Sequence, residues 1–133
     1  MTHQILNPSG LHNPVSFGYS HLAVTHDLVF VAGQYASDAQ GHVTSPKFPQ
    51  QVKETFRNLR TALTAADVTP THVVQLRTYV VDLDTDKLGV LVSEIEALWG
   101  EEPPTQTLLG VAGLALPGML FEVEAIAVTD DSR

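Results

Sequence analysis

The stretch "LPGMLFEVEAIAV", residues 116–128, decides the reading of the chain. A Pro-Gly turn opens it, and a strict two-residue alternation follows. Side chains in a strand alternate between faces. Met119, Phe121, Val123, Ala125 and Ala127 therefore share one face, and Leu120, Glu122, Glu124, Ile126 and Val128 share the other. The first set suits packing under helices. The second is apolar with two carboxylates, which suits burial against another subunit better than open water. A homo-oligomer built through the sheet is expected.

Glu122 and Glu124 lie two apart, so they point the same way. Repulsion and burial raise the pKa of one member of such a pair, which is how a general acid or a water-activating base is made. The plainer alternative is a pair of edge-strand carboxylates held by backbone amides or by Arg77.

Upstream, "HLAVTHDLVFVAGQ", residues 21–34, reads as two short strands around a turn at His26-Asp27. From Pro49 the period changes. Val52, Phe56, Leu59, Leu63 and Ala66 form one face of a helix. Asp67 to Pro70 ends it, and "HVVQLRTYVV", residues 72–81, is rich in β-branched residues and strand-like. Asp84 to Asp86 offers caps for a second helix with Leu88, Leu91, Val92, Ile95 and Trp99 on one face, stopped by Gly100 and the prolines. "TQTLLGVAGL" and "MLFEVEAIAV" are the last two strands, joined by the turn at Pro117-Gly118. The order is therefore two or three strands, helix, strand, helix, strand, strand, and the expected fold is α+β: one domain over residues 1–133, with a mixed six-stranded sheet and both helices on one face.

At 133 residues and 44% hydrophobic, the chain can bury a real core. It has no transmembrane run and no signal-peptide pattern at its start, so a cytoplasmic protein with no membrane partner is expected. It contains no cysteine, which excludes disulfides, thiolate metal sites and a cysteine nucleophile. The formal charge is −8, and of the basic residues only Lys53, Arg57 and Arg60 cluster, on one helix. Nucleic-acid affinity is dominated by phosphate neutralisation, so no nucleic-acid partner is expected. None of the six histidines forms a tight ligand pair, and no metal site is expected. Tyr19, in "FGYSH", is either core or a ring lining a pocket. Arg77, on a valine-rich strand, needs a carboxylate partner or binds a ligand.

"GYSHLAVTHDLVFVAGQ" (18–34), the "NLRTAL" helix (58–63), "VVQLRTYVVDL" (73–83) and the closing "LPGMLFEVEAIAV" together resemble the Rid family, reactive-intermediate deaminases also called YjgF or L-PSP endoribonuclease-like proteins. The resemblance runs in order over nearly the whole chain. It implies a chorismate-mutase-like subunit assembled as a homotrimer with a central barrel, and small-molecule clefts between subunits. Active members hydrolyse enamines and imines to release ammonia and a keto acid, without metal or organic cofactor.

By the same resemblance the pocket tyrosine falls on Tyr19 and the water-orienting glutamate on Glu122. The glycine of the family's "SGQ" strand falls on Gly33, preceded by Ala32 where the family has serine. An asparagine of the second helix falls on Val92. The main departure is "PPTQT", residues 103–107: deaminating members have Pro-Ala-Arg followed by Ser or Thr, so the carboxylate-gripping arginine falls on Gln106, followed by Thr107. A guanidinium holds a carboxylate bidentately and with charge, and glutamine cannot. Three functions are therefore expected in this order: a Rid-type hydrolase of altered specificity, a metabolite-binding trimer without catalysis, and an endoribonuclease. Arg77 could replace the lost cation if its side chain reached the cleft.

Overall fold

Residues 2–130 of the chain are described by the computed structural model; Arg133 lies outside them. The elements run β1 (Gln4–Leu6), a 3-10 turn (Val15–Phe17), β2 (Leu22–Thr25), β3 (Leu28–Gln34), α1 (Phe48–Ala65), a 3-10 turn (Pro70–His72), β4 (Val73–Val81), α2 (Thr85–Trp99), β5 (Thr105–Val111) and β6 (Phe121–Val128). They build the expected α+β domain, a six-stranded sheet in the order β1-β2-β3-β6-β4-β5. Among the described residues only β4 and β5 pair in parallel, which makes the sheet mixed.

The alternation in β6 holds along its whole length: Phe121, Val123, Ala125 and Ala127 are buried, while Glu122, Glu124, Ile126 and Val128 are half-buried. The buried set meets the helices. Phe121 packs edge-on against Phe48 of α1 with ring centroids 6.0 Å apart, and lies 5.8 Å from Phe56, which in turn meets Trp99 of α2 at 6.1 Å. Val52, Leu59 and Leu63 extend the same stripe of α1 into the core.

Helix ends follow their local chemistry. Asp84 caps α2, its Oδ1 accepting from the Lys87 amide at 2.8 Å, which satisfies a donor the helix leaves unpaired. Asp67 closes α1 in the left-handed region at φ 58°, and the Val68 amide returns to the Leu63 carbonyl at 3.1 Å.

One detail was left open by the sequence, and a second differs from the expectation. First, β5 and β6 are not neighbours, because β4 lies between them. The crossover through α2 places β5 parallel to β4 on the outer edge, and the Pro117-Gly118 connection carries the chain back to the far side of β4. Glu122 and Glu124 therefore stand on a central strand with both ladders filled, not on an edge. Second, the apolar stripe of α2 is narrower. Leu91 and Ile95 are buried, but Leu88 and Val92 are exposed. α2 overlies the outer edge of the sheet, and those two residues line a groove beside β5 instead of entering the core.

The other sheet face has no cover among the described residues. Phe30 and Leu109 are 41% and 46% exposed, and Tyr79, Arg77 and Ile126 share that side.

Candidate functional site

A cavity of about 470 Å³ opens where β3 meets β6, lined by Phe17, Tyr19, Ala32, Gly33, Tyr35, Glu122 and the 115–119 turn. Three local features build it. The β3–β6 register shifts between Val31 and Gln34, so Ala32 and Gly33 leave the ladder there. Such irregularities re-aim the chain beside functional sites. The turn is fixed by Gln51 of α1, which is fully buried; its Nε2 donates to the Gly118 carbonyl at 2.8 Å and its Oε1 accepts from the Leu120 amide at 2.9 Å. Tyr19 follows Gly18, whose φ of 88° lies in the left-handed region that favours glycine.

Glu122 and Glu124 have different surroundings. The Tyr79 hydroxyl donates to Glu124 Oε1. Glu122 faces the cavity, and burial, with the Glu124 charge second, pushes its carboxyl above the ordinary value. Burial, then Tyr35 and Glu122, pushes the Tyr19 phenol up to about 12, so it stays protonated across the physiological range. The Glu122 carboxylate rests against Gly33: a Cβ built there would come within 2.8 Å of Glu122 Cδ and closer still to its oxygen. Only the far end of a flexible side chain is in the way. Gly33→Ala is therefore expected to displace the carboxylate and abolish binding or turnover in the cavity, with a stability change below about 1 kcal/mol. Parallel thermal melts and activity assays check this; unchanged activity would mean the carboxylate's seat does not matter.

The structure brings together Tyr19, Ala32, Gly33 and Glu122. It separates them from the remaining candidates. Gln106 stands opposite Leu76 on the helix side of the sheet, and lines a second groove with Val92, Leu88, Pro104 and Leu108. The Thr78 hydroxyl donates to Gln106 Oε1 at 2.9 Å, which leaves the amide NH₂ as the end available to a partner. Thr107, one residue on, faces the opposite side beside Arg77. Arg77 lies in a hollow with Phe30, Gln75 and Glu124 on the uncovered face, and lines neither the cavity nor the groove. The carboxylate partner expected for it is absent: among the described residues Arg77 makes no ion pair, although Glu124, whose Oε1 accepts from the Tyr79 hydroxyl, is directly opposite in register.

Sequence reasoning missed His12. It is 3% exposed, and its Nε2 lies 2.6 Å from the Tyr19 hydroxyl. It sits in "LHNP", an irregular stretch with no period to expose its role. Phe17 and Tyr35, which wall the cavity, were missed for the same reason. The basic residues of α1 are elsewhere: Lys53 pairs with Glu94 at 3.5 Å and Arg57 with Glu54 at 3.6 Å, on the outer helix layer. Among the described residues no group of three His, Asp or Glu side chains is placed to hold a metal, and no helix is long and apolar enough to cross a membrane.

The family model described as Endoribonuclease L-PSP matches residues 11–129. The RutC family protein YjgH of Escherichia coli is 31% identical over 121 residues, 90% of each chain. The solved structure of protein YJGH superposes with a TM-score of 0.86 at 28% identity, covering 96% of this chain and 97% of the other. YyfB from Yersinia pestis, a protein of unknown function of the conserved Rid protein family, superposes with a TM-score of 0.73 at 34% identity, covering 97% and 100%.

Proposed function

The chain belongs to the endoribonuclease L-PSP family, known also as the Rid or YjgF family, and from that premise we propose that it is a small-molecule hydrolase of the deaminase type. Its substrate is an imine, an enamine or a related C–N compound without the carboxylate of a 2-imino acid. The observation that carries this reading is the Glu122 carboxyl, held over Gly33 in a largely apolar cavity that the Tyr19 phenol also lines.

The reaction needs a proton carrier and a fixed water. Water oxygen bonds to the imine carbon, the C=N π pair moves to nitrogen, and Glu122 carries the proton from that oxygen to nitrogen. The same carboxyl then carries the remaining hydroxyl proton to nitrogen as the C–N bond breaks, leaving a carbonyl and ammonia. A carboxyl with a raised pKa is better matched to both transfers near neutral pH than an ordinary one. Tyr19 flanks the substrate and supplies a hydrogen bond. The protein acts without metal or cofactor, in the cytoplasm.

The uncovered sheet face supports assembly through it, as a chorismate-mutase-like homotrimer around a central barrel. Exposed Phe30 and Leu109 would then be buried, and the groove of Gln106 would face the cavity of the adjacent subunit. In that cleft Gln106 offers its NH₂ to a neutral polar group. Replacing an arginine there removes a charge-assisted contact worth about 1.5–3 kcal/mol, or about 10- to 150-fold in binding a carboxylate.

The test pairs the wild type with Gln106→Arg, both assayed for ammonia release from 2-imino acids generated in situ and from imines lacking a carboxylate. The expected result is wild-type activity on the neutral imines, and a gain of about 10- to 150-fold on 2-imino acids in the variant. Full wild-type activity on 2-imino acids would sink the specificity argument. Inertness of both proteins on every substrate would favour the second reading, a trimer that binds a metabolite without catalysis, which Ala32, Val92 and Gln106 support. RNA cleavage is the least favoured: the net charge is −8, and among the described residues no lysine or arginine lines the cavity.

A further inference from the structure

Behind Tyr19 a chain of part-buried hydrogen bonds runs from α1 to the cavity, and two of its links have a direction fixed by backbone carbonyls. The Asn58 side chain faces the carbonyls of Tyr35, at 2.9 Å, and Ser37, at 3.4 Å. A carbonyl only accepts, so the NH₂ end of Asn58 is the end that points there. That same NH₂ lies 3.2 Å from Ser37 Oγ. The Ser37 oxygen therefore receives a hydrogen bond from Asn58 and keeps its own proton to give. Its other partner is His12 Nδ1, at 3.2 Å.

An imidazole nitrogen that accepts a proton from a hydroxyl is the unprotonated one, which puts the proton of neutral His12 on Nε2. Nε2 faces the Tyr19 hydroxyl at 2.6 Å. We propose that His12 is the positioning residue of the cavity: set as the Nε2–H tautomer by Ser37, it donates to Tyr19 Oη and leaves the tyrosine proton free to point at the ligand. Tyr19 then presents a donor, and the ligand atom it meets is an acceptor with a lone pair, such as an imine nitrogen or a carbonyl oxygen. With the opposite tautomer Tyr19 would spend its proton on His12 and offer the ligand only an acceptor.

The surroundings keep His12 neutral. Burial and the neighbouring His21 ring lower its pKa, and Asp38 acts weakly the other way. His21 is itself locked. Its Nε2 faces the His12 carbonyl at 2.8 Å and must donate, while its Nδ1 faces the Gln34 amide nitrogen at 3.1 Å. That nitrogen also donates to the Ala32 carbonyl at 3.2 Å, so the amide cannot flip without losing both bonds.

The role in ligand binding rests on the cavity being the ligand site, but the tautomer does not, so the two fail separately. Long-range proton–nitrogen correlation spectra of uniformly labelled, ligand-free protein at neutral pH read the tautomer directly. The expected result is a neutral His12 protonated on Nε2. Protonation on Nδ1, or on both nitrogens, would overturn the proposal. In Ser37→Ala the His12 Nδ1 resonance should move downfield towards that of an unbonded imidazole nitrogen, and Ser37→Thr, which keeps the hydroxyl, should restore it. An unmoved resonance in Ser37→Ala overturns the role of Ser37. The His21 signals serve as the folding control, because no bond of that ring involves Ser37. An Nε2–H tautomer in a protein that releases ammonia from no C–N substrate would leave the His12 assignment standing and remove the enzymatic reading.

Discussion

Replacing Glu122 by glutamine is expected to lower ammonia release by about 10²- to 10⁴-fold, the range for losing a positioned acid–base group, while making the protein more stable at neutral pH. Both effects come from one cause. Burial, and after it the Glu124 charge, raises the Glu122 pKa above its ordinary value of 4.5. The native state thus binds this proton more tightly than the unfolded chain does. The stabilisation from that proton is fully present below the unfolded pKa and is lost as pH rises through the raised folded value. At neutral pH the wild type holds a partly desolvated charge that glutamine does not.

The variant's advantage should therefore be greatest at neutral pH, read as a Tm above that of the wild type. It should shrink as the pH falls below the Glu122 pKa. Melting curves across that range, set beside kcat at each pH, test both halves. A Glu122→Gln variant that is less stable at pH 7, or as active as the wild type, would show that the carboxyl is a structural anchor.

Phe121→Ala should lower stability by about 3–5 kcal/mol, since Phe121 is among the largest fully buried side chains. Phe121 is fully buried at the start of β6 and meets two aromatic rings of α1. Truncation leaves a cavity at the sheet–helix interface and removes both ring pairs, each worth about 0.5–1.5 kcal/mol beyond area alone. Equilibrium urea unfolding should show a lower midpoint with an unchanged slope. A loss under about 1 kcal/mol would mean the core repacks around the gap. Phe121 is also the neighbour of Glu122 on the strand, so reduced activity in this variant is to be read only at temperatures where it remains folded.

Much of the fold was legible because local geometry dictates it. The alternation of residues 119–128 and the helical stripe from Val52 to Leu63 follow from strand and helix periods, and both hold in the structure. Legibility failed where a side chain's fate depends on distant chain. Leu88 and Val92 fit the periodic stripe of α2 but lie over the outer edge of the sheet, where nothing covers them in the protomer. Arg77 and Glu124 are a natural pair by register, yet Tyr79, two residues along β4, takes the carboxylate. His12 had no pattern around it, and its partners, Tyr19, Ser37 and His21, come from three different segments.

By itself the sequence determined the order of the elements from β2 onward, the two faces of β6 and the shared direction of Glu122 and Glu124, since side-chain period is a property of the backbone. Only the tertiary structure decided that β4 separates β5 from β6, that Glu122 faces the cavity while Glu124 is held by Tyr79, and that Gln106 stands in a different groove from Glu122. Those outcomes depend on which strands pair after the chain crosses through α2. Pairing is settled by long-range burial and hydrogen bonding, and no local stretch of residues encodes it.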